Sequence, residues 1–321
     1  MSTAVASIAD KPQVPVGPWR PGRKARLQEA AMRAVARFGG ACSDLTGSRA
    51  DQPLGILAYH RVAPQTPGVP APPYNATPRA FRAQLTGLLK RGYRFISLSS
   101  ALRAHHSGEP LPSRSVVLTF DDCFETVFTE AFPILQELGT PATLLLCTGY
   151  LDGDKPFPFD TWAFEYTGRV PRSHYRPIQI QQCESMLASG LIEIGTHTHT
   201  HADFRGHSEA FLEEMEVSAE IVQRSFGVDA PPFSFPFGTV ADGLAGPELM
   251  EAARSTTACC ALTTEVELVD PARDPFGWGR ITVFDWDTGS TLAGKLGGWY
   301  DWAPRLKHRL KQRQRAGRSP R

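Results

Sequence analysis

Apolar segments alternate with segments of helical periodicity through most of this chain. The clearest apolar segments are LGILAYH, SVVLTF, PATLLLC, IEIGT, FSFPFG, CCALTT and GRITVF. Helical segments such as TPRAFRAQLTGLLKRGY and ETVFTEAFPILQELGT lie between them. Nearly continuous apolar strands are typical of a parallel sheet that helices cover on its faces. The sequence therefore predicts an α/β fold with a parallel sheet, either open or closed into a barrel.

The alternating pattern also indicates how the chain is organised. A length of 321 residues suits a single α/β domain. We expect residues 1–52 to form a flexible segment with a basic helix at about 22–38, which a Gly-Gly pair would end. A compact domain would span residues 53–292, and a basic tail would occupy residues 293–321.

Composition and charge exclude several classes of protein. A net charge of +1 gives no reason to expect a nucleic-acid partner. The N-terminus lacks a basic region followed by an apolar run, so we predict no secretory signal, and no window approaches the ~20 apolar residues of a membrane-spanning helix. The six cysteines include no C-x-x-C pair, and we predict reduced, buried thiols in a cytosolic protein.

Acidic, basic and imidazole side chains are concentrated after the predicted strands. In α/β folds the residues just beyond the carboxyl ends of the strands face the functional site. The residues in these positions are His60, Asp121, Asp122, His197, His201, the Pro236–Phe237–Gly238 turn and Arg280 near the last strand. A purely structural barrel gives little reason for this concentration, so we predict a catalytic site at this edge.

Three histidines lie within five residues of the segment EIGTHTHTHADF. In a continuing strand, His197, His199 and His201 would all point to the same face. We expect the strand to end near Ile194 and to enter a helical turn, which brings residues i and i+4 together and turns His199 away. Two imidazoles and one carboxylate form a common zinc ligand set that leaves a position open for water. One of the two adjacent aspartates would supply the carboxylate.

The adjacent aspartates suggest two separate roles at the site. One would bind the metal, and the other would accept a proton from water as a general base. The alternative is that one of them caps a helix that begins near Phe124.

Three motifs, taken in order, resemble the polysaccharide deacetylase family, also called the NodB-homology or carbohydrate esterase family 4 group. They are T-F-D-D from Thr119, H-T-H-T-H from His197 and F-P-F-G from Phe235. The preceding segments GILAYHRV and FRAQLTGLLKRGYRFISLSSAL resemble the branch with a leading Tyr-His pair. The similarity runs from about Leu54 to Val283, and the combination is much more specific than any single motif.

The resemblance implies a distorted (β/α) barrel in which residues 53–292 form the catalytic domain. It also implies one divalent metal, usually zinc, bound by Asp122, His197 and His201. The implied activity is removal of N-acetyl or O-acetyl groups from a carbohydrate, in polysaccharide or cell-envelope biosynthesis. The alternatives are a small non-sugar amide or a lipid-linked sugar as the substrate, or a carbohydrate-binding protein that has lost catalysis.

The resemblance also assigns the remaining catalytic roles. The general base would be Asp121, the acid that protonates the leaving amine would be His60, and the backbone N–H of Phe237 would stabilise the oxyanion. The chain departs from the family at Cys123, where many members have Gly. It also lacks the arginine that commonly precedes the Pro-aromatic-Gly turn, so we expect Arg280 to orient Asp121.

A basic tail follows a group of aromatic residues near the C-terminus. Eight Lys or Arg residues follow Tyr300, against the single acid Asp301, and Trp299 and Trp302 stand beside them. Aromatic and cationic residues together suit the headgroup region of an anionic membrane. The alternative is a solvated tail whose aromatic residues pack on the barrel. We expect a cytoplasmic protein, with peripheral contact at the inner face of the membrane if the tail binds lipid.

Overall fold

The computed structural model describes residues 23–47 and 54–299, with side chains from Leu27 onward. The strands are β1 (Gly55–Tyr59), β2 (Arg61–Val62), β3 (Asn75–Ala76), β4 (Arg94–Phe95), β5 (Ser115–Asp122), β6 (Ala142–Leu146), β7 (Ile192–Thr196), β8 (Phe233–Ser234), β9 (Ala261–Leu262), β10 (Phe276–Trp278) and β11 (Ile281–Thr282). The α-helices are α1 (Arg23–Thr46), α2 (Pro78–Leu89), α3 (Leu98–Ser107), α4 (Phe132–Leu138), α5 (Thr161–Glu165), α6 (Ile180–Leu187), α7 (Ser208–Phe226), α8 (Pro247–Arg254) and α9 (Gly289–Leu296).

Nine of these strands form one parallel sheet. Its order is β10-β9-β8-β7-β6-β5-β1-β11, and β4 pairs with the beginning of β5. Strands β10 and β11 stand at the two ends of this order, so the sheet is open rather than closed by a ladder between them. The predicted α/β fold is confirmed, in the form of a distorted (β/α) barrel.

The register of the central strands brings their carboxyl ends level. Asp122 at the end of β5 pairs with Leu146 of β6, and Leu146 pairs with Thr196 of β7. On the other side of β5, Tyr59 of β1 pairs with Phe120. The residues that follow β1, β5 and β7 therefore emerge at one edge of the sheet, which is where the sequence predicts the site.

Two local predictions need correction. The segment ETVFTEAFPILQELGT is predicted as one helix, but it contains a π-helical turn at Val127–Ala131 before α4 begins. Helix α4 ends at Gly139, whose φ of 59° is the left-handed conformation that closes many helices. Strand β10 is missing from the prediction because it has only three residues and one of them is a glycine.

Helix α1 runs through the Gly-Gly pair that is predicted to end it. Gly39 and Gly40 lie inside the helix because α9 packs directly against them. A Cβ atom on Gly40 would lie 2.8 Å from the Ser290 Oγ, and one on Gly294 would lie 2.6 Å from backbone atoms of Gly39 and Gly40. The glycines therefore allow two helix backbones to come into close contact, and the predicted helix end at residue 38 is wrong.

This contact involves helices on both sides of the predicted domain, whose bounds of 53–292 stay a prediction. Asp44 of α1 forms a salt bridge with Arg91 at 2.9 Å, so α1 is attached to the compact domain. Lys295 of α9 is buried, and its Nζ donates to the Asp287 carboxylate at 2.7 Å. The predicted boundary after residue 292 would cut through α9. Both helices therefore pack against the compact part of the chain.

Helix packing at Gly294 leads to a prediction about stability. Replacing Gly294 with Val should lower the free energy of unfolding by about 1–3 kcal/mol, because the new side chain meets backbone atoms of α1 that cannot move aside. Chemical denaturation measures the change. Ala41→Ser, at an exposed position of α1, is the control and should change stability by less than about 0.5 kcal/mol. A Gly294 variant as stable as its parent would mean that α1 and α9 do not pack this closely.

Residues 1–22 and 300–321 lie outside the described part of the chain, so the flexible N-terminus and most of the basic tail stay predictions. Trp299 packs against α1, and its indole N–H donates to the Gly47 carbonyl at 3.0 Å. None of the helices described within 23–47 and 54–299 has the length and apolar character needed to cross a membrane.

The six cysteines are free thiols, as predicted. Four of them are buried, but Cys42 and Cys259 are only partly buried. The expected compartment stays a prediction.

Candidate metal centre and active site

The side chains of Asp122, His197 and His201 meet at the edge where β5 and β7 end. One possible ligand atom from each lies within 4.8 Å of the other two, and all three residues are buried. The Asp122 Oδ1 lies 3.3 Å from the His201 Nε2 and 3.7 Å from the His197 Nε2. The structure thus brings together the three residues that the resemblance assigns to a metal. It places Asp122, rather than Asp121, in this group.

The two histidines converge by a different route from the predicted helical turn. Strand β7 continues to Thr196, beyond the predicted end at Ile194, and the described residues 197–207 contain no helix. Instead, Thr198 and His201 have φ values of 64° and 59°. The His201 N–H also donates to the Thr198 Oγ1 at 3.0 Å. A tight loop with left-handed residues, and not helical spacing, places the imidazoles together.

His199 points away from this group, as predicted. Its Nδ1 lies 3.0 Å from the Thr148 Oγ1. The buried Glu214 of α7 holds the loop, because its carboxylate accepts from the N–H groups of His199 at 3.0 Å and Thr200 at 2.7 Å. Sequence analysis missed Glu214. It could have been found from its spacing, because Glu214 lies three residues after Phe211 and therefore on the same, apolar face of α7.

Ser234, at the end of β8, connects the three-residue group to Asp121. Its carbonyl accepts from the Nδ1–H of His197 at 2.8 Å, which leaves the Nε2 lone pair of His197 facing Asp122. Its hydroxyl lies 2.6 Å from the same Nδ1 and donates to the Asp121 Oδ1 at 3.4 Å. The sequence analysis did not single out Ser234, although its position at a strand end was a usable signal.

The electrostatics of Asp122, His197 and His201 favour a bound cation. Burial raises the pKa of Asp122 to about 8, and the charge of Asp121 adds to this effect. Burial also lowers the pKa of His197 and brings that of His201 well below its ordinary value. The Asp122 Oδ1 is buried and has no hydrogen-bond donor among the described residues. Because an unpaired buried carboxylate is costly, these residues fit a divalent cation.

Arg280 holds Asp121 through a bidentate salt bridge. Its Nη1 and Nη2 donate to the Asp121 Oδ1 and Oδ2 at 2.6 and 2.7 Å, and its Nε donates to the Thr263 carbonyl at 3.1 Å. Burial alone would raise the pKa of Asp121, but the charge of the buried Arg280 holds it well below its usual range. The predicted contact between the two residues is confirmed. Arg280 reaches this position because it follows β10, a strand that the sequence analysis missed.

His60 follows β1 and faces Asp121. Its Nε2 lies 4.0 Å from the Asp121 Oδ2, and its ring stacks on Tyr74 with 4.8 Å between ring centres. Burial lowers the pKa of His60 to about 4, although the charge of Asp121 opposes this effect. The side chain is 20% exposed. His60 is therefore neutral at pH 7 in the free protein and accessible to a small molecule.

Two aromatic rings flank His201. Phe237, in the turn after β8, has its ring centre 4.7 Å from that of His201, and Phe159 lies at 4.5 Å. Phe237 has a φ of 58° and is 40% exposed, so its turn lies at the mouth of the site. The Phe237 carbonyl accepts from the Thr264 hydroxyl at 3.2 Å, which helps to hold the turn.

The backbone is unusual at the end of β5. Asp122 and Cys123 have φ values of 62° and 65°, and the Cys123 N–H donates to the Asp121 carbonyl at 2.6 Å. Glycine adopts such φ values at little cost, which is a physical reason for the Gly that the family resemblance leads one to expect in place of Cys123. Among the described residues the Asp121 carboxylate accepts from Arg280 and Ser234, and the buried Asp122 Oδ1 has no hydrogen-bond partner, so neither of these contacts is a helix cap near Phe124.

Comparison with known proteins supports the resemblance. Residues 108–250 match the family described as polysaccharide deacetylase. The poly-β-1,6-N-acetyl-D-glucosamine N-deacetylase of Staphylococcus epidermidis is 23% identical over 235 residues, which cover 70% of this chain and 73% of that protein. The protein of the same name from Escherichia coli K12 is 34% identical over 121 residues, which cover 37% of this chain and 17% of that protein.

Solved structures share the fold. IcaB from Ammonifex degensii superposes with a TM-score of 0.62 and 24% identity, over 77% of this chain and 98% of that one. The deacetylase PplD from Streptococcus pyogenes also has a TM-score of 0.62, with 21% identity, over 76% of this chain and 98% of that one. Over residues 108–250 the chain is thus similar to the polysaccharide deacetylase family, and it shares its fold with these solved structures.

Proposed function

We propose that this protein is a metal-dependent hydrolase that removes N-acetyl groups from a polysaccharide of N-acetylglucosamine. The observation that carries the proposal is the placement of Asp122, His197 and His201 beside Asp121, which Arg280 holds in one orientation. The relatives named for poly-β-1,6-N-acetyl-D-glucosamine support a β-1,6-linked polymer as the substrate. A role in making an envelope or extracellular polysaccharide would follow from this substrate.

In this proposal Asp122, His197 and His201 hold one divalent cation. Two imidazoles and a carboxylate are a donor set that suits zinc. The chemistry that such a cation supplies is polarisation of the acetamide carbonyl and a lower pKa for water. Positioning and proton transfer are left to the other residues of the chain.

Asp121 is the proposed general base, and His60 is the proposed general acid. Asp121 is ionised at neutral pH because Arg280 holds its pKa low, so it can accept a proton from the attacking water. His60 is neutral at pH 7 and must receive the proton that it gives to the leaving amine. The Asp121 Oδ2, 4.0 Å from the His60 Nε2, is placed to pass that proton on.

The turn at Phe237 has the third role in the proposal. Hydrolysis of an amide places negative charge on the carbonyl oxygen, and a fixed backbone N–H stabilises that charge effectively. Phe237 lies against His201 with its backbone in the left-handed region, so its N–H is the proposed donor to the oxyanion.

Replacing His60 with Ala should separate proton donation from the other steps. Turnover of an acetamide substrate should fall by about 10²–10⁴-fold, because the amine leaves poorly without a proton. An activated aryl acetate has a leaving group that needs no proton, so its hydrolysis should change much less. His105→Ala, on α3, is the matched control. Equal losses with both substrates would contradict the role of His60 as the acid.

The substrate proposal is tested by acetate release from defined oligosaccharides. The zinc-loaded protein should release acetate from β-1,6-linked N-acetylglucosamine oligomers faster than from β-1,4-linked oligomers of equal length. Chelator-treated protein is the control and should release little. Acetate from small amides alone would favour a non-sugar substrate. Stoichiometric zinc without acetate release from any substrate would favour a carbohydrate-binding protein.

A further inference from the structure

The outer face of α1 carries an exposed apolar stripe. Leu27, Phe38 and Leu45 are 72%, 67% and 86% exposed. Together with exposed alanines between them, they recur at spacings of four and three residues, which places them on one face of a helix. The members of this α1 stripe are Leu27, Ala31, Ala34, Phe38, Ala41 and Leu45.

The opposite face of α1 is fixed to the domain. Gly39 and Gly40 lie in backbone contact with α9, and a Cβ atom on Gly294 would clash with both. The salt bridge from Asp44 to Arg91 holds the last turn. The helix therefore cannot rotate its stripe inward without losing this contact. The stripe is a permanent feature of the outer surface.

The helix is strongly cationic. It contains five basic residues and two acidic ones, and both acids are already paired within the protein: Glu29 with Arg33 and Asp44 with Arg91. The five basic residues are Arg23, Lys24, Arg26, Arg33 and Arg37. Trp299 packs beside the helix, and its indole N–H donates to the Gly47 carbonyl at 3.0 Å. The net positive charge of the α1 sequence therefore favours an anionic partner.

We propose that the α1 stripe binds an anionic lipid surface, with its apolar side chains between the headgroups and the basic residues on the phosphates. A helix with Leu and Phe on one face and Arg on its flank is typical of helices that lie in the membrane interface. A second copy of the chain, or its own basic tail, would bring like charges together. An anionic lipid surface instead complements the charge of α1.

The test is co-sedimentation of full-length protein with phosphatidylcholine vesicles, with and without phosphatidylglycerol. A stripe variant carries Leu27→Ser, Phe38→Ser and Leu45→Ser. A matched control carries Leu89→Ser, Phe164→Ser and Val217→Ser, which are exposed apolar residues on other helices. The parent and the control should bind phosphatidylglycerol vesicles at low salt, and the stripe variant should bind at least about tenfold more weakly. High salt should weaken binding by the parent.

Three results would overturn the proposal. The first is no binding by the parent at low salt. The second is equal binding by the stripe variant, together with complete loss when residues 301–321 are removed, which would assign the contact to the tail. The third is a dimer of the parent by light scattering that the stripe variant lacks, because a second copy would then cover the stripe. Thermal melting checks that the stripe variant folds, and its exposed substitutions should hardly change the melting temperature.

Discussion

Replacing Asp121 with Asn should reduce turnover by about 10²–10⁴-fold without loss of the metal. Asn cannot take up the proton that the carboxylate accepts. The metal should stay, because Asp121 lies outside the group formed by Asp122, His197 and His201. Acetate release and zinc content, measured on the same preparation, check both statements. A variant that keeps both its zinc and its turnover would mean that another group accepts the proton.

The same substitution should also affect stability, and this effect can be separated from catalysis. Asp121→Asn leaves the fully buried Arg280 without its carboxylate, which should cost about 3–5 kcal/mol. Removing both charges, in Asp121→Asn with Arg280→Met, should recover part of that stability but none of the turnover. Asp287→Asn breaks another buried acid–base pair, with Lys295, and controls for instability alone. It should lower stability while each folded molecule keeps its activity.

The sheet and the strand-end residues could be predicted because the main strands are buried on both faces. All eight residues of β5 are buried, for example, so this strand reads as an apolar run that ends in two acids. Parallel pairing then places the ends of β1, β5 and β7 at one edge. The proximity of His60, Asp121 and Asp122 to the start of the histidine loop follows from this topology.

The route of the histidine loop could not be predicted, because it depends on backbone conformations that local sequence does not specify. Thr198 is β-branched and rarely adopts a positive φ, yet its φ is 64° here. Surrounding contacts impose this conformation, including those of the buried Glu214 with the loop. The prediction that His197 and His201 converge is therefore confirmed, although the helical turn is wrong.

The predicted end of helix α1 is wrong because local sequence preference was followed where a contact with a distant helix decides the structure. Gly39 and Gly40 are unfavourable inside an isolated helix, so local propensity predicts an end there. The contact with α9 reverses that preference because only glycine allows this close approach. Arg280 was singled out from its charge, but its route to Asp121 depends on β10, which is too short to show a pattern. Contacts between distant parts of the chain decided both cases.

Metal binding should divide the three histidines into two classes. His197→Ala and His201→Ala should each weaken zinc binding by more than about 10–100-fold, the usual cost of losing even an outer partner of a metal ligand. Each substitution removes a nitrogen that faces the Asp122 Oδ1, at 3.7 and 3.3 Å. His199→Ala should bind zinc as the parent does, since its ring lies at Thr148. Competition with a chromogenic chelator measures all three affinities without reference to activity.

The zinc affinity of a Ser234→Ala variant serves as a comparison for the three histidine substitutions. This substitution removes the hydroxyl 2.6 Å from the His197 Nδ1 but keeps the Ser234 carbonyl, which still accepts from the same nitrogen and fixes the tautomer. Its effect on zinc affinity should therefore be smaller than that of His197→Ala, at about tenfold or less.

Comparable losses for His197→Ala, His199→Ala and His201→Ala would contradict the loop geometry, because His199 would then have to reach the cation. Zinc binding unaffected by all three would place the cation elsewhere and remove the main support for metal-dependent hydrolysis.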